Sequence, residues 1–185
     1  MKPQLQRLAA IAALGFASLG SQAAPVVVDV SGAQSTNLQG EAGNTVWFID
    51  IGANAALNSL TWAVELSAFA PSSLYDMQVS FGTSSGTDAI NLAPDVVDGF
   101  SGTGSYSGFF DLAGLGLTTG ADGLLRLEFS ETYKDFALDV VEGRWVSGSL
   151  TFDVTAAAVP EPGSAALALL ALGGLWIAPR RPRRH

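Results

Sequence analysis

The chain has no cysteine, so whatever holds it together does so without disulfide bridges. Its one histidine is His185, the last residue. The sequence between the termini thus offers neither imidazole nor thiol, which excludes a Ser-His-Asp triad, a cysteine nucleophile and a His-ligated zinc or haem. Basic residues are nearly as scarce. Between residues 24 and 158 only Arg126, Lys134 and Arg144 are basic, against sixteen acids, a net charge of −13. A surface this negative repels phosphate, which excludes nucleic acid as a partner and suits cations, neutral sugars or simple solubility.

What the chain does have, at both ends, is apolar sequence. Lys2 and Arg7 precede an uncharged apolar stretch, residues 8–19, closed by Ser21, Gln22, Ala23 and Ala24. That order is a secretory signal peptide, with cleavage after Ala23. The stretch is too short for the ~20 residues that span a bilayer. At the other end Val159, Pro160, Glu161 and Pro162 lead into an uncharged run, residues 163–178, followed by Arg180, Arg181, Arg183 and Arg184. As a helix this run measures about 24 Å against a hydrocarbon core of about 30 Å, and the arginine stems snorkel to cover the difference. The positive-inside tendency puts the arginines in the cytoplasm and the chain before Val159 outside. The two ends therefore give one orientation.

The C-terminal order resembles a PEP-CTERM sorting domain: Pro160, Glu161 and Pro162 match the motif, residues 163–178 the membrane span and residues 180–184 the basic end. The resemblance implies a Gram-negative bacterium, recognition by an exosortase in the inner membrane, cleavage near the motif, and release to the cell surface or an exopolysaccharide matrix. Three parts follow: residues 1–23 as a signal peptide for signal peptidase, 24–158 as the exported domain, and 159–185 as the sorting domain.

The middle part reads as β-structure. Leu60, Trp62, Val64 and Leu66 alternate with Thr61, Ala63, Glu65 and Ser67, and the same period of two runs through residues 77–81 and 125–129. Val146, Leu150, Phe152 and Val154 line up on a closing strand, and residues 26–30, 45–51 and 106–112 are further strand candidates. The expected fold is all-β, an antiparallel two-sheet sandwich of jelly-roll type, flanked by the signal-peptide helix and the C-terminal transmembrane helix. Helix competes only near residues 53–57 and 71–74. Glycine-rich residues 82–86 and 100–108 read as loops. Residues 57–81 and 122–154 resemble the β-sandwich of proprotein-convertase P domains, a likeness of fold that transfers no site residue.

Candidate sites are few. Sugar binding would use aromatic rings. Trp62 falls on the apolar face of its strand and reads as core, while Trp47 has apolar neighbours on both sides. Trp145 lies on the face opposite Val146 and reads as exposed, Tyr106 sits among Gly and Ser, and Tyr133 stands beside Lys134; these three are the candidate sugar contacts. No cofactor is expected. Calcium, which takes about six to eight oxygen ligands, would find its best candidates at Asp95, Asp98, Asp135, Asp139 and Glu142, although the spacing matches no calcium-loop pattern. Lys134, in the charged stretch 131–139, reads as solvated, as do the carboxylates. A glycosidase needs only two carboxyl groups across a cleft, so an Asp/Glu hydrolase remains an alternative. Gly102, Gly104 and Gly108 have the wrong spacing for a phosphate loop and read as a flexible surface loop. The functional expectation is a non-catalytic exported protein with a structural or adhesive role in the surface or biofilm, the alternative being a module that binds exopolysaccharide.

Overall fold

The computed structural model describes residues 23–87, 89–94 and 97–157. The signal-peptide stretch and the tail helix expected over residues 163–178 lie outside these residues, as do Val159, Pro160, Glu161, Pro162 and the four tail arginines. Within the described residues, nine strands run in chain order: β1 (Ala23–Asp29), β2 (Gln34–Ser35), β3 (Thr45–Asp50), β4 (Ala56–Ala68), β5 (Met77–Thr83), β6 (Ile90–Leu92), β7 (Gly102–Asp111), β8 (Leu124–Glu131) and β9 (Gly143–Thr155). They form two antiparallel sheets. One has the order β1-β9-β4-β7, with β2 also on β9; the other has the order β3-β8-β5-β6.

The period of two decides which side chains meet between the sheets. From the first sheet Leu57, Leu60, Val64, Leu66, Leu150 and Phe152 point inward; from the second come Met77, Val79, Phe81, Leu125, Leu127 and Phe129. Ring pairs bridge the layers, with Phe81 edge-on to Phe152 at 5.3 Å and Phe129 edge-on to Trp145 at 5.0 Å. Burying each such side chain contributes about 1.5–3 kcal/mol, so packing alone can hold a domain that lacks disulfides.

Three local expectations are corrected. Residues 100–108 are mostly strand: β7 pairs with β4 from Gly102↔Ala68 to Asp111↔Ser59. Its glycines are there for room. A Cβ at Gly108 would lie 2.2 Å from the Trp62 ring, and one at Gly104 would lie 2.3 Å from the Tyr106 hydroxyl. The Ala-rich residues 53–57 form a turn and the start of β4, with Asn54 at φ 52°. Helical geometry near residue 74 amounts to one short 3-10 turn, Leu74–Asp76. The sequence reading also missed the short strands β2 and β6.

Strand β9 holds the irregularity that matters most. Glu65 pairs with Ser147 and Leu66 with Trp145, so Val146 has no opposite number. This is a β-bulge, and one extra residue exchanges the two faces of the strand beyond it. Leu150, Phe152 and Val154 point inward on even numbers, while Trp145 points inward on an odd one. Two residues beyond the bulge Gly148 stands at φ 108°, and a Cβ there would lie 2.1 Å from the Ala63 carbonyl oxygen.

Candidate functional site

The bulge overturns the reading of Trp145. Expected on the surface, it is fully buried, packed against Phe129, with Nε1 donating to Ser35 Oγ at 3.4 Å. Val146, grouped with the core in the sequence, is the residue turned outward. Tyr106 lies in strand β7 rather than a loop; it is half-buried against the core, and its hydroxyl donates to Asp98 Oδ2 at 2.7 Å. Tyr133 is exposed, at 64%. Trp62 is half-buried against the core as its parity requires, and Trp47 packs edge-on to Phe129 at 4.9 Å. The three candidate sugar rings therefore do not form a common platform.

The acidic candidates have other work. Asp95 lies outside the described residues, and Asp98 receives the Tyr106 hydroxyl. Asp139 and Asn37 are laced together: Asn37 Nδ2 donates to Asp139 Oδ1 at 2.9 Å and Asp139 N to Asn37 Oδ1 at 3.0 Å. Glu142 is fully buried, forms an ion pair with Lys134 at 2.6 Å and accepts the amides of Asp135 and Phe136. Among the described residues no group of three or more ligating side chains could hold a metal ion.

Lys134 is not solvated, as the sequence suggested. Its ammonium also donates to the carbonyls of Thr36 and Val140, and its side chain is largely buried. Around it lies a sealed polar end of the sandwich. Glu131 continues the inward face of Leu125, Leu127 and Phe129 and is fully buried, with the Ser35 hydroxyl the one polar side chain that favours its charged form besides Lys134. Burial first, then the nearby charges of Glu142 and Asp76, push its pKa up to about 9 against the opposing pull of Lys134. At neutral pH it is a neutral acid. Burial also acts on Glu142, but Lys134 and the two amides outweigh it and hold that carboxyl below its ordinary value. Asp135, at the rim, is shifted upward by desolvation and by Glu142 and Asp76. Asp76 accepts the hydroxyls of Ser73 and Thr132. Geometrically the cluster ties the loop 132–142 and the segment at residues 36–37 to the end of the core; its acids do not line a cleft. The sequence carried a signal for Glu131, since its parity matches Phe129, but not for the closure that buries it.

The open region is the outward face of the first sheet. Its cross-strand rows include Val27–Thr151–Thr61–Phe109, then Asp29–Ser149–Ala63–Ser107, then Ser147–Glu65–Ser105, then Gln34–Arg144–Ser67–Thr103. Hydroxyls dominate the middle rows, and the longer side chains are Val27, Asp29 and Phe109 at the edges, Glu65, and Arg144 and Val146 at the far end of β9. Ala63 and Gly148 help to form a shallow groove of about 330 Å³ walled by Ser105, Ser107 and Ser147. Glu65 stands in it and accepts the Ser147 hydroxyl at 3.2 Å. Tyr106 is the ring that lines the groove, and Phe109, exposed at 65%, stands two residues further along β7. Such a surface can exchange hydrogen bonds with a polyhydroxylated chain, each serine or threonine being both donor and acceptor.

No family model matches the sequence, and no curated protein does so. Among solved structures, the chain is similar to the Aeromonas sobria serine protease in its complex with the chaperone ORF2, at 16% identity over 74% of this chain and 27% of that one, with a TM-score of 0.45. The VP2 subviral particle of infectious bursal disease virus gives 13% identity over 74% and 33% of the two chains, with a TM-score of 0.37. The Tobacco streak virus coat protein dimer gives 15% identity over 76% and 92%, with a TM-score of 0.30. None of these similarities assigns an activity to this chain.

Proposed function

We propose that this chain is an exported protein of the cell surface or biofilm matrix, sorted through its PEP-CTERM tail by an exosortase, whose jelly-roll-like sandwich is non-catalytic and acts as an adhesive or structural element. Processing by signal peptidase and transient anchoring in the inner membrane, with the domain outside, belong to this reading. The observation that carries it is the open face of the first sheet, where Thr61, Ser105, Ser107, Ser147, Ser149 and Thr151 form a hydroxyl surface, with the basic Arg144 standing only at the Ser67 end of it. A neutral polysaccharide satisfies hydroxyls of this kind without meeting the repulsion that the domain's −13 charge gives a polyanion.

Affinity electrophoresis of the mature protein through a gel containing the exopolysaccharide tests the contact. Retardation by a neutral polymer is expected, and it should weaken in a Thr61→Ala, Ser107→Ala, Ser149→Ala triple variant. Unchanged migration of wild type and variant alike would remove the adhesive contact. Mass spectrometry of the termini tests the sorting: a protein beginning at Ala24 and ending near Pro160 is expected, and an intact tail in the secreted fraction would contradict it.

A further inference from the structure

The outward face of the second sheet is not open like that of the first. Arg126 and Glu128 stand there on β8, roofed by the segment 39–44 and the turn after β5. Glu128 is 1% exposed: Oε1 accepts the Gly40 amide at 2.7 Å and Asn44 Nδ2 at 2.9 Å, and Oε2 holds Arg126 Nη2 at 2.8 Å. The Arg126 side chain is 18% exposed, and its guanidinium has that single protein partner among the described residues. Gly86 lies against the plane of the guanidinium, where a Cβ would stand 3.3 Å from Cζ and Nη1 and 3.4 Å from Nε. Beside Glu128 in the strand ladder, the Ser80 hydroxyl is fully buried and has no partner among the described residues.

Between these groups lies a cleft of about 430 Å³ lined by Gln39, Gly40, Ser85, Gly86, Arg126 and Glu128. It falls at the small end of the roughly 300–1,000 Å³ range of ligand sites, and every lining residue is polar or glycine. We propose that this cleft binds a neutral sugar residue through a vicinal diol. One hydroxyl accepts from the spare guanidinium donors and the adjacent one donates to Glu128, a pairing that the 2.8 Å ion pair holds in register. An anion would meet Glu128 and the negative domain, and a cation would meet Arg126. No aromatic ring lines the cleft, so recognition rests on hydrogen bonds, and a site that pairs both hydroxyls of a diol discriminates against deoxy analogues. That the sugar belongs to the surface matrix rests on the proposed function; the preference for a neutral polyol rests on the cleft alone.

The test is an amide-resolved NMR titration of the mature protein with galactose, glucose and mannose, with glucuronate and inorganic phosphate as the anionic probes. At least one neutral sugar is expected to shift the Gly40, Ser85 and Gly86 amides saturably, with affinity lower by about tenfold in Arg126→Lys, which keeps the charge and loses the planar donors. Deoxygenation at one hydroxyl of the diol is expected to abolish the shifts. Selective binding of glucuronate or phosphate, no perturbation of the three amides by any sugar, or equal affinity in Arg126→Lys and wild type would each overturn the proposal. The Thr61, Ser107, Ser149 triple variant separates the two readings: it lowers polymer retention through the first sheet and leaves the monosaccharide shifts in this cleft unchanged.

Discussion

The open face of the first sheet and the sealed end of the sandwich treat polar side chains in opposite ways. On the face, hydroxyls of Thr61, Ser107 and Ser105 stand in solvent with nothing above them. At the end, Glu131, Glu142 and Asp76 are taken out of water together with Lys134. The first arrangement costs the fold little and leaves groups free to bind. The second is costly unless each charge is paired or neutralised, and both solutions are present: Glu142 is paired and Glu131 is neutral. Surface chemistry and structural stability are thus assigned to separate parts of one small domain.

The difference can be broken most severely at Lys134. Replacing it with Met leaves Glu142 buried beside two amides and no cation, and a loss of about 3–5 kcal/mol in urea denaturation is expected. A loss below about 1 kcal/mol would mean that the end is wetter than its burial indicates.

Next comes Glu131. Its folded pKa lies above its unfolded one, so the folded chain keeps a proton that the unfolded chain releases. The stability this confers is complete below the unfolded value near 4.5 and falls by about 1.4 kcal/mol per pH unit up to about 9. Glu131→Gln should flatten that slope and raise stability at neutral pH. Denaturation midpoints at about pH 5, 7 and 9 give the comparison, and parallel curves for the variant and wild type would refute a neutral Glu131.

A smaller effect belongs to the bulge under the open face. Gly148→Ala forces a Cβ onto the Ala63 carbonyl at positive φ, and a loss of about 1–3 kcal/mol is expected, read as a lower melting temperature. The smallest belongs to the face itself. Thr61→Ala with Ser107→Ala should change stability by less than about 0.5 kcal/mol while weakening polysaccharide retention, which keeps adhesion and folding separable.

Much of this was legible in the sequence. Strands β4, β5, β8 and β9 announce themselves by alternation, because a strand with one buried face must place apolar residues every second position, and β1 and β3 by short apolar runs. Half of the hydroxyl face is legible in the same way, as the other parity of β4; the half on β7 is not, because residues 100–108 carry the glycines of a loop. Trp145 was not: parity was counted back from Leu150 across a bulge that no pattern of apolar residues marks, and Gly148 was its only trace. Lys134 and Glu142 were read as solvated because charge predicts exposure unless something distant closes over it. That closure comes from residues 36–37, about a hundred positions earlier in the chain.

By itself the sequence determined the absence of thiols and of any histidine before the last residue, the acidic balance of the middle part, and, away from bulges, which side chains share a strand face, since each follows from composition or from neighbours a few residues apart. Only the tertiary structure decided which polar groups leave water. Burial of Trp145, Glu131, Glu142 and Lys134 depends on a one-residue register shift and on segments far apart in the chain meeting at one end of the sandwich, and neither is a local property.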